Sequence, residues 1–166
     1  MTVPPVIRPL TASDAAAFRD LRLAGLQESP TAFGSSYAAE KDGTVETFAG
    51  IIGRNYLAGA FVDGRLVGVV GFYQLSGEKV SHRGNIWGVY VDPAHRGNGI
   101  ARLLMEKVLA HAKQVVKQVH LGVVTENEAA LALYKRLGFV SYGIEPKALR
   151  IASRFYDENM MVWPAD

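Results

Sequence analysis

Two short runs in this chain carry residue types whose spacing could do chemistry. The first is Val89-Tyr90-Val91-Asp92-Pro93-Ala94-His95-Arg96-Gly97-Asn98-Gly99-Ile100-Ala101. It reads as a β-branched and aromatic strand, a proline break, a glycine-bearing turn, and a helix reaching about Lys113. A strand feeding such a turn at a helix N-terminus makes an anion site. Unpaired N–H groups point outward, glycine lets a ligand approach the backbone, and the helix dipole favours negative charge. Phosphate suits it. The run lacks the Lys-Ser/Thr ending of a P-loop and misses the spacing of a dinucleotide-binding G-x-G-x-x-G. Taken alone, the glycines also suit a plain strand-to-helix turn.

The second run, Asn127-Glu128-Ala129-Ala130-Leu131-Ala132-Leu133-Tyr134-Lys135-Arg136-Leu137-Gly138-Phe139, also follows a strand. Asn127 and Tyr134 lie seven residues apart, almost two helical turns, so their side chains share one helix face. Each has a simpler structural role open to it, Asn127 as an N-cap and Tyr134 as a core aromatic with a wetted hydroxyl.

The elements that must position these runs can be read from periodicity and punctuation. Val6 to Leu10 predicts a first strand, and Thr11 and Asp14 have capping-box spacing before a helix carrying Phe18, Leu21 and Leu26. Pro30 interrupts, and a second helical region is expected between Ser35 and Arg54. Tyr56 to Val62 and Leu66 to Leu75 flank Asp63-Gly64, a hairpin signal because both positions tolerate φ > 0. Asn85 to Val91 is the next strand. The following helix is expected to bury Ile100, Leu103, Leu104, Val108 and Ala112. Val119 to Val124 is a strand, Asn127 to Leu137 a helix closed by Gly138, and Phe139 to Ile144 and Phe155 to Val162 are the last strands. The hairpin is antiparallel, whereas the strand–helix–strand unit from Asn85 to Val124 predicts a right-handed parallel crossover. The result is one α/β (α+β) domain over residues 1–166: a mixed sheet of six or seven strands flanked by about four helices.

Composition narrows the classes. With 49% hydrophobic and 20% charged residues, the chain has the balance of a soluble globular protein. A net charge of +2 without a run of like charges gives no footing for nucleic acid. There is no cysteine, which excludes thiolate metal sites and a thiol nucleophile. His82, His95, His111 and His120 show no ligand spacing, so no metal is expected. No apolar segment approaches a membrane span, and no signal-peptide pattern opens the chain, so a cytoplasmic protein without membrane contact is expected.

The two runs together resemble the signature of the GNAT superfamily of N-acetyltransferases. Arg96 to Ala101 is similar to its R/Q-x-x-G-x-G/A acyl-CoA loop, and Asn127 to Phe139 to its N-x-x-A-x-x-x-Y-x-x-x-G-F motif. The resemblance implies a strongly twisted sheet that splays between the fourth and fifth strands. It implies acetyl-CoA as co-substrate and an amine as acceptor. Arg96 belongs to the loop, and the amides of Gly97, Asn98, Gly99, Ile100, Ala101 and Arg102 would line the pyrophosphate. Val89 and Val91, with Tyr90 between them, would pair with the pantetheine arm, and one strand amide would stabilise the oxyanion. Asn127 would hydrogen-bond the pantetheine, and Tyr134 would serve the departing sulfur. A thiolate with a reference pKa of about 8.5 is less basic than a phenolate at about 10, so full proton transfer is uphill by roughly 2 kcal/mol, whereas a hydrogen bond to the forming thiolate is accessible.

The positions where some members carry a strand glutamate as base are here Asn85 and Gly122, neither of which accepts a proton. Glu126, His120 and Glu28 are the remaining candidates, together with a water held by Asn85. For the acceptor, Glu28, Phe33, Tyr37 and Glu40 fall in the first helical region and Glu145, Tyr156, Asp157 and Glu158 near the last strands. Acidic and aromatic side chains suit an ammonium, and a small-molecule amine is the expected acceptor. A protein N-terminal acetyltransferase, a CoA-binding module without turnover and a binder of another nucleotide are the alternatives. Sheet edges and aromatics are compatible with a homodimer.

Overall fold

A computed structural model describes residues 3–166. The chain begins with β1 (Val6–Pro9), and a 3-10 turn over Ala12–Asp14 leads into α1 (Ala15–Glu28). Asp14 Oδ2 accepts from the Thr11 N–H at 2.8 Å, the half of the capping box that the Thr-x-x-Asp spacing anticipates, and Arg8 grips the same carboxylate. A second 3-10 turn at Pro30–Ala32 precedes α2 (Tyr37–Glu40) and α3 (Val45–Arg54). The helical region expected from Ser35 to Arg54 is therefore two helices. Gly43 sits in the break, where a Cβ would lie 2.8 Å from Phe48 Cε2, and Thr44 starts the second helix by accepting from the Thr47 N–H.

The strands β2 (Tyr56–Val62) and β3 (Arg65–Gln74) are joined through Asp63 and Gly64 at φ +51° and +77°, as a type I′ turn requires. Next come β4 (Arg83–Val91), α4 (Ile100–Ala112), β5 (Gln118–Val124), α5 (Glu128–Arg136), β6 (Val140–Ile151) and β7 (Arg154–Pro164). The last two strands run well past the expected Phe139–Ile144 and Phe155–Val162, because the connection between them is a tight turn with Ala152 at φ +55°.

All seven strands form one sheet in the order β1-β2-β3-β4-β5-β7-β6. Only β4 and β5 are parallel, linked through α4. Each face has its own core. Leu57, Phe61, Leu66 and Val69 pack with Phe18, Leu26 and Phe48 of α1 and α3, while Ala58, Ala60, Val67 and Val70 pack with Leu104, Met105 and Val108 of α4. Adjacent strand residues point to opposite faces. That is why β2 and β3 read as nearly continuous apolar runs, the pattern of strands covered on both sides. The buried stripe of α4 differs from the expected one: Leu103 is exposed, and Met105 and Leu109 are buried beside Ile100, Leu104, Val108 and Ala112. The helix lies close to β3 at Gly68, where a Cβ would meet Leu104 Cδ1 at 3.0 Å and Ile100 Cγ2 at 3.3 Å. No helix among the described residues is long and apolar enough to cross a membrane.

Candidate active site

The parallel pairing of β4 with β5 stops almost as soon as it starts. Its register covers only Arg83–Asn85 against Gln118–His120. Beyond Asn85 the two strands diverge, so backbone groups of β4 directed that way lose their neighbour. A bulge sharpens the divergence. Val69 faces Tyr90 and Gly71 faces Trp87, leaving Gly88 and Val89 opposite the single residue Val70. Gly88 adopts φ +64°, a left-handed conformation that glycine takes without strain. A Cβ there would also lie 3.2 Å from Nη1 of Arg22. Arg22 is held by Glu40 at 2.6 and 2.8 Å and lies over the rings of Trp87 and Phe33, so α1 buttresses the bulge.

The gap opens into a cavity of about 680 Å³. Its walls include Ile86 to Val91 from β4, Leu121 to Val124 from β5, Asn127, Ala130 and Tyr134 from the start and length of α5, Phe33 and Gly34 after α1, and Glu158 from β7. A second cavity of about 620 Å³ continues it, bounded by Arg96, Gly97 and Gly99 to Arg102, and shares Val91, Arg96, Ala101, Ala129 and Leu133 with the first. The two form one cleft from the glycine loop to the splay.

At the loop end, Gly97 and Gly99 take φ +81° and +75°, and Gly99 is the N-cap of α4. A Cβ at either would meet nothing within 4 Å, so conformation, not crowding, calls for glycine. The first backbone donation after Arg96 is Leu103 N–H to Gly99 O, at 3.1 Å. The N–H groups from Gly97 to Arg102 thus have no partner among the described residues and are available to an anion. The Arg96 side chain turns the other way. Its Nε donates to Val91 O at 2.9 Å and its Nη atoms clasp Glu28 at 3.2 and 2.8 Å, tying the loop to the end of β4 and to α1.

Glu28 is accordingly not a free acceptor-site acid. Besides Arg96 it receives the hydroxyls of Ser29 at 2.6 Å and Tyr90 at 3.0 Å. Arg96, then Ser29 and Tyr90, hold its pKa down to about 2, well below that of a base useful at neutral pH. The Tyr90 side chain packs into the α1 core against Phe33, and burial, then Glu28, push its phenol up to about 12. Of the other candidates, Phe33 lines the cavity, whereas Tyr37 and Glu40 do not. Asn85 donates to Tyr73 Oη at 2.8 Å, and His120 is engaged by Gln118 and Tyr142, both outside the cavity wall. Glu126 lines the cavity but is paired with Arg154.

Asn127 caps α5, its Oδ1 accepting from the Ala130 N–H at 3.2 Å, and still borders the cavity. Tyr134, 6% exposed, packs on Phe139 and borders the same cavity. Burial raises its pKa far above the ordinary phenol value, so it stays protonated throughout the neutral range. Its hydroxyl has no hydrogen-bond partner among the described residues. Arg22, Trp87 and Gly88 carried no recognisable signal in the sequence, because their role depends on α1 crossing the bulge. No group of three or more His, Cys, Asp or Glu residues able to hold a metal occurs among the described residues.

A glycine loop at a helix N-terminus, a bulged strand and a splay between parallel strands together define a class of fold. Residues 23–139 match the Acetyltransferase (GNAT) family, and the chain belongs to that family. It is 38% identical over 98 residues to the N-alpha-acetyltransferase RimI of Mycobacterium tuberculosis, covering 59% of this chain and 60% of that protein. To the spermidine N(1)-acetyltransferase of Vibrio cholerae it is 28% identical over 95 residues, covering 56% and 55%. The matches thus span little more than half of each relative's length. The fold is shared with a putative acetyltransferase from Salmonella typhimurium solved with its cofactor acetyl-CoA, at TM-score 0.86 and 20% identity over 99% of this chain and 95% of that one.

Proposed function

We propose that this chain transfers an acetyl group from acetyl-CoA to a primary amine by direct attack, and that the acceptor is a small-molecule amine. The observation that carries the reading is the single cleft that joins six unpartnered N–H groups to Tyr134. The N–H groups of Gly97 to Arg102 suit a pyrophosphate, and the freed edge of β4 from Val89 to Val91 suits the amide-bearing pantetheine arm. An amide on that edge is placed to meet the oxyanion that forms when nitrogen attacks the thioester carbon. Asn127, with its Oδ1 engaged in the cap, retains Nδ2 for the arm. Tyr134 supplies a proton or a hydrogen bond to sulfur as the C–S bond breaks. No cysteine is present to form an acyl-enzyme.

The small-molecule preference is supported by a walled cavity with acidic and aromatic sides, Phe33, Trp87, Glu126 and Glu158. The likeness to RimI, named for N-alpha acetylation, favours the second reading, a protein N-terminus. Incubation with acetyl-CoA and a panel of polyamines, amino acids and peptides, with thiol release as readout, separates the two. Faster release with a small amine than with any peptide is expected, and reaction with peptides alone overturns the small-molecule assignment.

A further inference from the structure

Gly122 leaves the β5 edge of the cavity without a carboxylate, yet the space above it is filled. A Cβ built at Gly122 would lie 3.3 Å from Oε1 of Glu158 and 3.4 Å from its Cδ. Glu158 comes from β7, whose antiparallel register sets it opposite Val124 and sets Met160 opposite Gly122. Its side chain therefore leans diagonally across the strand pair to Gly122. Because side chains alternate along a strand, Gly122 and Val124 face the side of the sheet opposite Leu121 and Val123. Leu121 and Val123 pack in the same core as Tyr134. Glu158 and Tyr134 thus line one cavity from opposite faces of the sheet.

Resting on the acetyltransferase reading above, we infer that Glu158 is the proton acceptor for the incoming amine, a carboxylate supplied across the strand pair from β7 onto the bare Gly122. Its oxygens have no hydrogen bond or ion pair among the described residues, unlike those of Glu28, Glu40 and Glu126. Burial, then repulsion from Glu145 on the neighbouring β6, raises its pKa toward the range where a base works at neutral pH. The other titratable groups that line the cavity are Tyr134, Tyr90 and Arg96, the last two joined to Glu28, and Glu126, which is paired with Arg154. The carboxylate takes one proton from the bound ammonium and passes it to solvent. The neutral nitrogen attacks the thioester carbon, the C–S bond breaks as Tyr134 gives its proton to sulfur, and the second nitrogen proton passes through solvent to restore the Tyr134 hydroxyl. Amide, CoA thiol and one proton leave.

The test uses the wild-type protein, E158Q and E158Q/G122E with one amine that the wild type acetylates. E158Q is expected to lower kcat/KM by about 10²-fold or more. In the wild type, kcat/KM levels off above the Glu158 pKa; in E158Q it climbs tenfold per pH unit up to the pKa of the amine itself. E158Q/G122E returns a carboxylate to the same space from the other strand and is expected to recover at least tenfold of the loss and the plateau. Undiminished kcat/KM in E158Q, or a loss with the wild-type pH plateau retained, overturns the assignment of Glu158 alone. A wild-type protein that binds CoA but acetylates no amine overturns the acetyltransferase reading and this inference with it.

Discussion

The role proposed for Tyr134 is separable from binding. Its ring packs against Phe139, and the residue borders the cleft. Tyr134→Phe keeps the packing and removes the proton donor. We expect kcat to fall by about 10²-fold while the Kd for CoA, measured by calorimetry, stays within about twofold. Glu28 makes a prediction of the opposite kind, structural and tied to pH. Its pKa near 2 lies below the ordinary 4.5, so its stabilisation is complete above pH 4.5 and is lost as pH falls from there toward 2. The Arg96 and Glu28 side chains are 44% and 39% exposed, which limits the effect to about 1 kcal/mol or less. Acid denaturation of Glu28→Gln should show a correspondingly flatter profile in that window. The sequence displayed Asn127 and Tyr134 because helical periodicity puts residues seven apart on one face. It offered Glu158 only among the acids near the last strands, because its place over Gly122 depends on the β5–β7 register between residues 36 positions apart. It also presented Glu28 as an acid for substrate, since nothing local shows that Arg96, 68 residues away, clasps it.

At the scale of elements, punctuation was the most legible signal. Asp63-Gly64, Gly99 and Gly138 each stand at a positive φ that the chain needs for a turn or a helix end. Gly43 was the exception: it lies inside the single helical region expected from Ser35 to Arg54, yet it separates two helices, and Phe48 occupies the space a side chain would need. The bulge at Gly88 was illegible for a different reason. One extra residue in a strand leaves the apolar pattern almost unchanged and is visible only against β3. The anion loop yields an element-scale prediction. At Gly99, φ is +75° and the Cβ position is open, so alanine meets strain without a clash. Gly99→Ala should lower stability by about 1 kcal/mol in denaturant unfolding. Relaxation of that strain turns the N–H groups at the start of α4, so CoA affinity should fall by more than tenfold. Unchanged affinity would mean that the loop amides do not hold the pyrophosphate.

Over the whole molecule, one sheet does two jobs. Its β1–β4 half is covered by helices on both faces, while the short β4–β5 pairing lets the sheet open. The donor cleft passes through that opening, with Tyr134 on one face and the acidic wall of β7 on the other. Such an arrangement offers room for both reactants at once, as the proposed direct attack requires. Initial rates of CoA release, measured over a grid of acetyl-CoA and amine concentrations, test this most directly. Intersecting double-reciprocal lines, the mark of a complex containing both substrates, are the predicted result. Parallel lines, which signal an acetylated protein as intermediate, would contradict it.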